Sequence, residues 1–518
     1  MNIKEAKEEI INTVEAYLKK DDTGAYEIPI ERQRPVLLMG PPGIGKTAIM
    51  EQVASELHIN LVSYTITHHT RQSAIGLPFI SHKNYDGREY AVTEYTMSEI
   101  VASIYDRIEK SGIHEGILFL DEINCVSETL APTMLQFLQY KTFGTHRVPD
   151  GFVIVTAGNP PQYNKSVRDL DIVTLDRVKR INIDADFDCW KEYAYKAGVH
   201  GSILAYLEIK KDKFYSVKNT MDGARFVTAR GWEDLSRIIR VYEELGKTVS
   251  KSLTEQYLQD DETAEDFAAY YELYRKYRTV YRIPEILEGT AAFDEKQIRT
   301  APFDEKLSLI SLLIDALNGE FREYAEDLEL QKEIYEFCRK MRETAAGNPM
   351  NGAGNAGLSR SGGIVYTCAL SELDREKELL REQTEAHLLD RAALRASRRK
   401  IAALTEAVQL LKEKQAGECD AAAEFAILKD WFTKREADRR ARAEKAGEHL
   451  TNSFSFLAEV FGEGQEMVIF LTELAAGYYS LKYVSDCGNE AYYKYNKLLL
   501  LKDRRSDLRA EIDRMLRL

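Results

Sequence analysis

The sequence predicts a parallel β-sheet sandwiched by helices, followed by an all-helical remainder. Three observations carry this. Short apolar runs at 36–39, 61–65, 117–120 and 152–156 alternate with helix-forming stretches over residues 36–185, the pattern of strands buried on both faces. From about Asp186 the strand signal ends and helical patterning takes over. Beyond a stretch at 347–363 that holds six glycines, a long charged helical pattern begins.

These breaks divide the chain into an α/β core at 1–185, a helical lid at 186–245 and a helical block at 246–346. A Gly/Asn-rich linker at 347–363 and a helical, coiled-coil-like region at 364–518 complete it. In that last region a helix is expected over about 369–414. Leu373, Leu380, Leu394, Ile401 and Val408 recur in sevens, His387 fills the missing position, and Leu404 and Leu411 add a second row. Ala416-Gly417-Glu418 breaks it and 421–445 resumes, so the two form a helical hairpin. Because glycine-rich chain transmits no rigid geometry, the tail is expected to be a separable docking module, dispensable for the chemistry of the core.

Composition narrows the function. Apolar residues make up 44%, ordinary for a folded protein, and no run reaches the length of a membrane span. The opening residues read as an amphipathic helix without a signal core, which points to the cytosol. Six cysteines are too widely and irregularly spaced for a zinc module, so reduced, mostly buried thiols are expected. Net charge is −14, against general nucleic-acid binding. The charge is uneven: residues 241–345 hold 24 acidic and 14 basic residues, a net of −10, whereas 364–518 hold 27 and 26, a net of −1.

The first chemical signal is Gly40-Pro41-Pro42-Gly43-Ile44-Gly45-Lys46-Thr47, immediately after the first strand, with Ala48 continuing into a helix. Glycines let the backbone wrap closely, so that successive N–H groups point at phosphate oxygens, and the helix N-terminus adds its dipole. Lys46 brings a cation to the outer phosphates and Thr47 a hydroxyl to Mg²⁺. The second signal is Ile117-Leu118-Phe119-Leu120-Asp121-Glu122, an apolar strand that delivers two carboxylates at its C-terminal edge. Asp121 suits the metal ion opposite Thr47, and Glu122 suits orientation of an attacking water.

Downstream, Asn159 follows the next strand, where a neutral amide can meet the γ-phosphate or the water. In Thr174-Leu175-Asp176-Arg177-Val178-Lys179-Arg180, Arg177 is the first choice and Arg180 the second for a cation lent to a neighbouring subunit's phosphate. In Thr228-Ala229-Arg230-Gly231-Trp232, Thr228 suits a helix N-cap and Arg230 the first turn, from which it can reach back to the γ-phosphate. Trp232 suits core packing.

In this order the motifs resemble the Walker A, Walker B, sensor 1, arginine finger and sensor 2 elements of AAA+ ATPases. The stretches 68–78, 94–99 and 128–139 and the Trp190 segment further resemble the MoxR branch. The resemblance covers about residues 1–245. Two positions depart from it: Val178 stands where the family often has Phe, and Ala229 where Pro is common. It implies an AAA+ core and lid, binding of ATP with Mg²⁺, a homo-oligomeric ring expected to have six subunits, and ATP-driven remodelling of a protein client. It also implies a partner carrying a von Willebrand A domain. Within 66–116, residues 79–96 alternate around Tyr85-Asp86-Gly87-Arg88, a hairpin signal; the resemblance implies that this hairpin faces the ring pore. His68 and His69 sit nearby without a visible third ligand and read as packing rather than metal binding. Two rivals remain: a nucleotide-dependent motor on nucleic acid, and a nucleotide-gated scaffold with little turnover. Asn164-Lys165-Ser166-Val167 lacks the aspartate of the guanine-reading pattern.

Overall fold

A computed structural model of the chain describes residues 1–68, 76–143, 146–163, 172–220, 223–291, 293–346, 363–385, 391–414 and 420–497. They divide into two compact units. One comprises Met1–Tyr193 and Lys210–Ala268, the other Ala194–Ile209 and the chain from Ala269 onward. The linker expected at 347–363 falls almost wholly outside the described residues, as do His69, the stretch 164–167, His387 and 416–418.

The first unit is built on a five-stranded parallel sheet. Its strands are β1 (Val36–Met39), β2 (Asn60–Thr65), β5 (Gly116–Asp121), β6 (Phe152–Gly158) and β7 (Lys179–Asn182), in the order β2-β5-β6-β1-β7. Strands β3 (Pro78–Tyr85) and β4 (Arg88–Tyr95) stand apart as an antiparallel hairpin. Alternate strand residues feed opposite faces, as the period of two requires. Val36, Leu38, Ile117, Phe119, Val153 and Val155 pack with α1 (Ile3–Leu18) and α2 (Lys46–Glu56). Leu37, Met39, Leu118, Leu120, Phe152 and Ile154 pack with α3 (Glu99–Ser111) and α4 (Ala131–Tyr140). All strands being parallel, the loops after β1, β5 and β6 emerge at one carboxyl edge.

The β3–β4 turn has Asp86 at φ 50° and Gly87 at φ 78°, the left-handed pair that a tight hairpin needs, as its sequence predicts. Almost every side chain of the hairpin is at least partly exposed. The lid is less purely helical than expected. A second hairpin, β8 (Ser216–Thr220) and β9 (Gly223–Val227), precedes α5 (Ala229–Glu244). Trp232 on α5 is fully buried, packs edge-on against Phe267 and donates to the Phe214 carbonyl at 3.1 Å.

The second unit is helical. Its longest element, α6 (Phe303–Ala345), runs the length of a core shared with α9 (Ala421–Phe461), α10 (Gln465–Ala476) and α11 (Tyr478–Cys487). Between α6 and α9 in sequence lie α7 (Ile364–Glu385) and α8 (Arg391–Glu413). The single helix expected over 369–414 is therefore two helices. They lie antiparallel, with Lys400 on α8 reaching Glu376 on α7 at 3.0 Å, and α8 also pairs with α9, where Arg435 reaches Glu406 at 2.7 Å, as the expected hairpin requires. Leu373, Leu404, Val408 and Leu411 do not form one continuous seam. They enter one core with Ile334, Phe337 and Met341 of α6 and Leu428 and Trp431 of α9. These shared cores join the region from 364 onward to α6, so it does not pack as a module apart from the helical block before it. Among the described residues, no helix is long and apolar enough to cross a membrane.

Candidate functional site

The loop after β1 is locked to the next strand and to the helix it opens. The Gly40 N–H donates to the Gly158 carbonyl at 3.3 Å, and α2 begins at Lys46 behind Gly45. Lys46 is buried, and its Nζ donates to the carbonyls of Gly40 and Pro41 and to Asn159 Oδ1, each at 2.8 Å. The loop lysine and the Asn159 amide, 113 residues apart in sequence, thus meet directly.

At the end of β5, Asp121 Oδ2 accepts from Thr47 Oγ1 at 3.1 Å, and its Oδ1 accepts from the Glu122 N–H at 2.9 Å. A separation of 3.1 Å is close to the ~2.9 Å between adjacent oxygens around an octahedral Mg²⁺. These two oxygens therefore fit the hard cation expected of them. Glu122 itself sits at φ 57°, ψ 37°, a left-handed conformation that costs a non-glycine residue roughly 1–3 kcal/mol. The conformation turns its carboxylate off the strand axis, where Oε2 accepts from Thr67 Oγ1 at 3.1 Å.

Two positions not singled out in the sequence complete this edge. Thr67, just beyond β2, holds the Glu122 carboxylate. Asn124, buried two residues after Glu122, donates from Nδ2 to the Asn159 carbonyl at 2.8 Å. Gly158 is required beside it, since a Cβ there would lie 2.6 Å from Asn124 Oδ1. Asn124 follows the acidic pair on the same short turn, a proximity that could have drawn attention to it. Thr67 had no such signal.

The start of α5 meets the loop from the other side. Thr228 caps α5, accepting from the Gly231 N–H, and the Arg230 N–H donates to the Gly43 carbonyl at 3.2 Å. Gly43 has φ +74°, which disfavours a side chain, and a Cβ there would stand tightly, 3.1 Å, from Thr228. The Arg230 side chain is exposed, near enough to Lys46 to repel its charge. Arg177, past a single helical turn at Ile172–Leu175, is also exposed, and among the described residues its guanidinium has no ion-pair partner. Arg180 on the edge strand β7 donates to Asn182 Oδ1 at 2.8 Å. The structure thus gathers Lys46, Thr47, Asp121, Glu122, Asn159 and Arg230 around one loop, with Arg177 and Arg180 farther along the chain near β7.

Burial holds the Lys46 amine down at about 8; Asp121 opposes this and Arg230 adds to it. Phosphate oxygens favour the charged ammonium, so above that pH nucleotide binding takes up a proton. ATP affinity is expected to be flat up to about pH 8, then to fall by about tenfold per pH unit until the pKa of the nucleotide-bound lysine is reached. Equilibrium binding between about pH 7 and 9.5 checks this. Lys46→Arg, charged throughout, should flatten whatever binding survives; an equally flat wild-type profile would remove Lys46 from the phosphate site.

Residues 36–176 match the family model of the ATPase family associated with various cellular activities (AAA). No curated protein matches the chain. The matched segment runs from β1 to the residue before Arg177, and includes the loop, the acidic pair and Asn159.

Proposed function

We propose that this chain, which carries an AAA ATPase domain over residues 36–176, hydrolyses ATP with Mg²⁺ and uses the cycle to remodel a protein partner, in the manner of MoxR proteins. The observation that carries the reading is the convergence of Lys46, Thr47, Asp121, Glu122 and Asn159 at the carboxyl edge of one sheet. Gly40 to Ala48 bind the triphosphate, Lys46 countering the charge of the outer phosphates. Thr47 and Asp121 would hold the metal ion, which would supply charge neutralisation on the phosphates. Glu122 takes a proton from the attacking water and orients it. Asn159, today a partner of Lys46, reports the γ-phosphate, and Arg230 carries that state to the lid.

Remodelling is supported by the β3–β4 hairpin, which presents Phe79, Ile80, Tyr85, Tyr90 and Tyr95 to solvent. Exposed apolar side chains grouped on one element mark a surface that meets another macromolecule. A protein carrying a von Willebrand A domain is the partner in this reading, and the assembly is a ring, expected to be a hexamer. The net charge of −14 disfavours the nucleic-acid motor.

The exposed Arg177 is the arginine lent to the neighbouring subunit. Arg177→Ala should abolish turnover and leave ATP affinity within about threefold of wild type, since removing such an arginine costs about 10³–10⁵ in rate. Mixing Arg177→Ala with Lys46→Ala subunits tests the ring. Some interfaces then pair an intact loop with an intact arginine, so phosphate release should partly return. Mixed assemblies that remain inactive would count against action between subunits, and restored turnover in Arg180→Ala mixtures alone would move the role to Arg180.

A further inference from the structure

Each carbonyl from Gly40 to Gly43 accepts a hydrogen bond, and the donors fall into two sets. Lys46 serves Gly40 and Pro41, both at 2.8 Å. The lid serves the other two: Tyr215 Oη donates to the Pro42 carbonyl at 3.0 Å, and the Arg230 N–H to the Gly43 carbonyl at 3.2 Å. A phosphate loop binds through its N–H groups, so what grips its carbonyls sets the direction in which those N–H groups point.

From this division we infer that Tyr215 is a positioning residue for the phosphate loop, holding Pro42 from the lid so that the loop is set for nucleotide; the inference rests on the ATPase reading above. When the lysine turns to the phosphates, it gives up the Gly40 and Pro41 carbonyls. The lid donors then hold the outer side of the loop alone. Tyr215 is fixed for this task by its neighbour: Phe214 is buried against Phe187 and Trp190, and its carbonyl accepts from the Trp232 indole. The backbone one residue before Tyr215 is therefore anchored, and the phenol meets Pro42. Burial, with Tyr163 nearby, pushes the Tyr215 phenol well above its ordinary range, so it is a neutral donor near neutral pH.

Tyr215→Phe removes the donor and keeps the ring. In the full chain it should raise the Kd and KM for ATP about three- to tenfold, the usual worth of one neutral hydrogen bond, while kcat stays within about twofold. The Tm without nucleotide should fall only slightly, because Lys46 still holds the Gly40 and Pro41 carbonyls there, and the rise in Tm caused by ATP should shrink. A merely structural tyrosine would lower the nucleotide-free Tm and leave KM alone. Wild-type protein that binds no ATP overturns the ATPase reading and this inference with it. Wild-type protein that binds ATP while Tyr215→Phe matches it in Kd and KM overturns the inference alone, as does a variant that loses kcat at unchanged KM.

Discussion

Glu122→Gln is expected to bind ATP as wild type does and to hydrolyse it about 10²–10⁴ times more slowly, the usual contribution of a positioned general base. The substitution keeps shape and the capacity to accept from Thr67 Oγ1, now 3.1 Å from the carboxylate, and removes only the charge that draws a proton from water. Asp121 and Thr47, 3.1 Å apart and assigned to the metal ion in this reading, are untouched, so binding of ATP with Mg²⁺ is expected to survive. Nucleotide affinity measured beside single-turnover phosphate release separates the two effects. Near-normal release would take Glu122 out of the reaction. A parallel loss of affinity would mean that the left-handed backbone at φ 57° had rearranged, and Asp121→Asn would then be the comparison to run.

Ending the chain after Ala346 should destroy the second unit. The sequence alone argues the opposite, since a glycine-rich stretch ordinarily separates modules. Yet α6, on one side of that stretch, shares its core with elements on the other. Phe321 stacks on Tyr483 at 4.6 Å between centroids, and Leu313 and Leu317 are fully buried in a core with Leu450, Phe454, Phe470 and Leu474. Asp327 on α6 accepts from Arg399 at 2.5 Å and from Arg442 at 2.7 Å. Each large apolar side chain left without its neighbours forfeits roughly 2–5 kcal/mol, against a total stability of about 5–15 kcal/mol for a domain. The truncated chain is expected to be aggregated or, if soluble, to bind a hydrophobic dye and melt without cooperativity in that unit. A soluble truncation with a sharp transition and no dye binding would restore the separable tail.

What the sequence disclosed and what it withheld differ in kind. Strands β1, β5 and β6 were legible because they hold short unbroken apolar runs, as strands covered on both faces do, whereas β2, at the sheet edge, mixes Ser63 and Thr65 with its apolar residues. The loop at 40–47 and Asp121-Glu122 were legible because phosphate and metal chemistry constrains residue type and spacing together. The helical seam was misread for a physical reason: each arm of an antiparallel pair buries one stripe, so apolar spacing alone does not reveal where the chain reverses. The hairpin β8–β9 escaped because its residues, among them Lys218, Asn219 and Arg225, carry no apolar alternation. Thr67 and Tyr215 were invisible for a simpler cause. Each makes one hydrogen bond to a group brought near by folding, 55 and 173 residues away, and such a contact leaves no local pattern.

The hairpin β3–β4 has a consequence for how such a protein changes over generations. Its side chains are mostly exposed and add little to the apolar cores of the sheet. Exchanging them therefore shifts stability by no more than about 0.5 kcal/mol at most positions, and it leaves the loop, the acidic pair and Asn159 where they are. Mutation can thus explore new recognition chemistry at the tip while the engine beneath stays under separate selection.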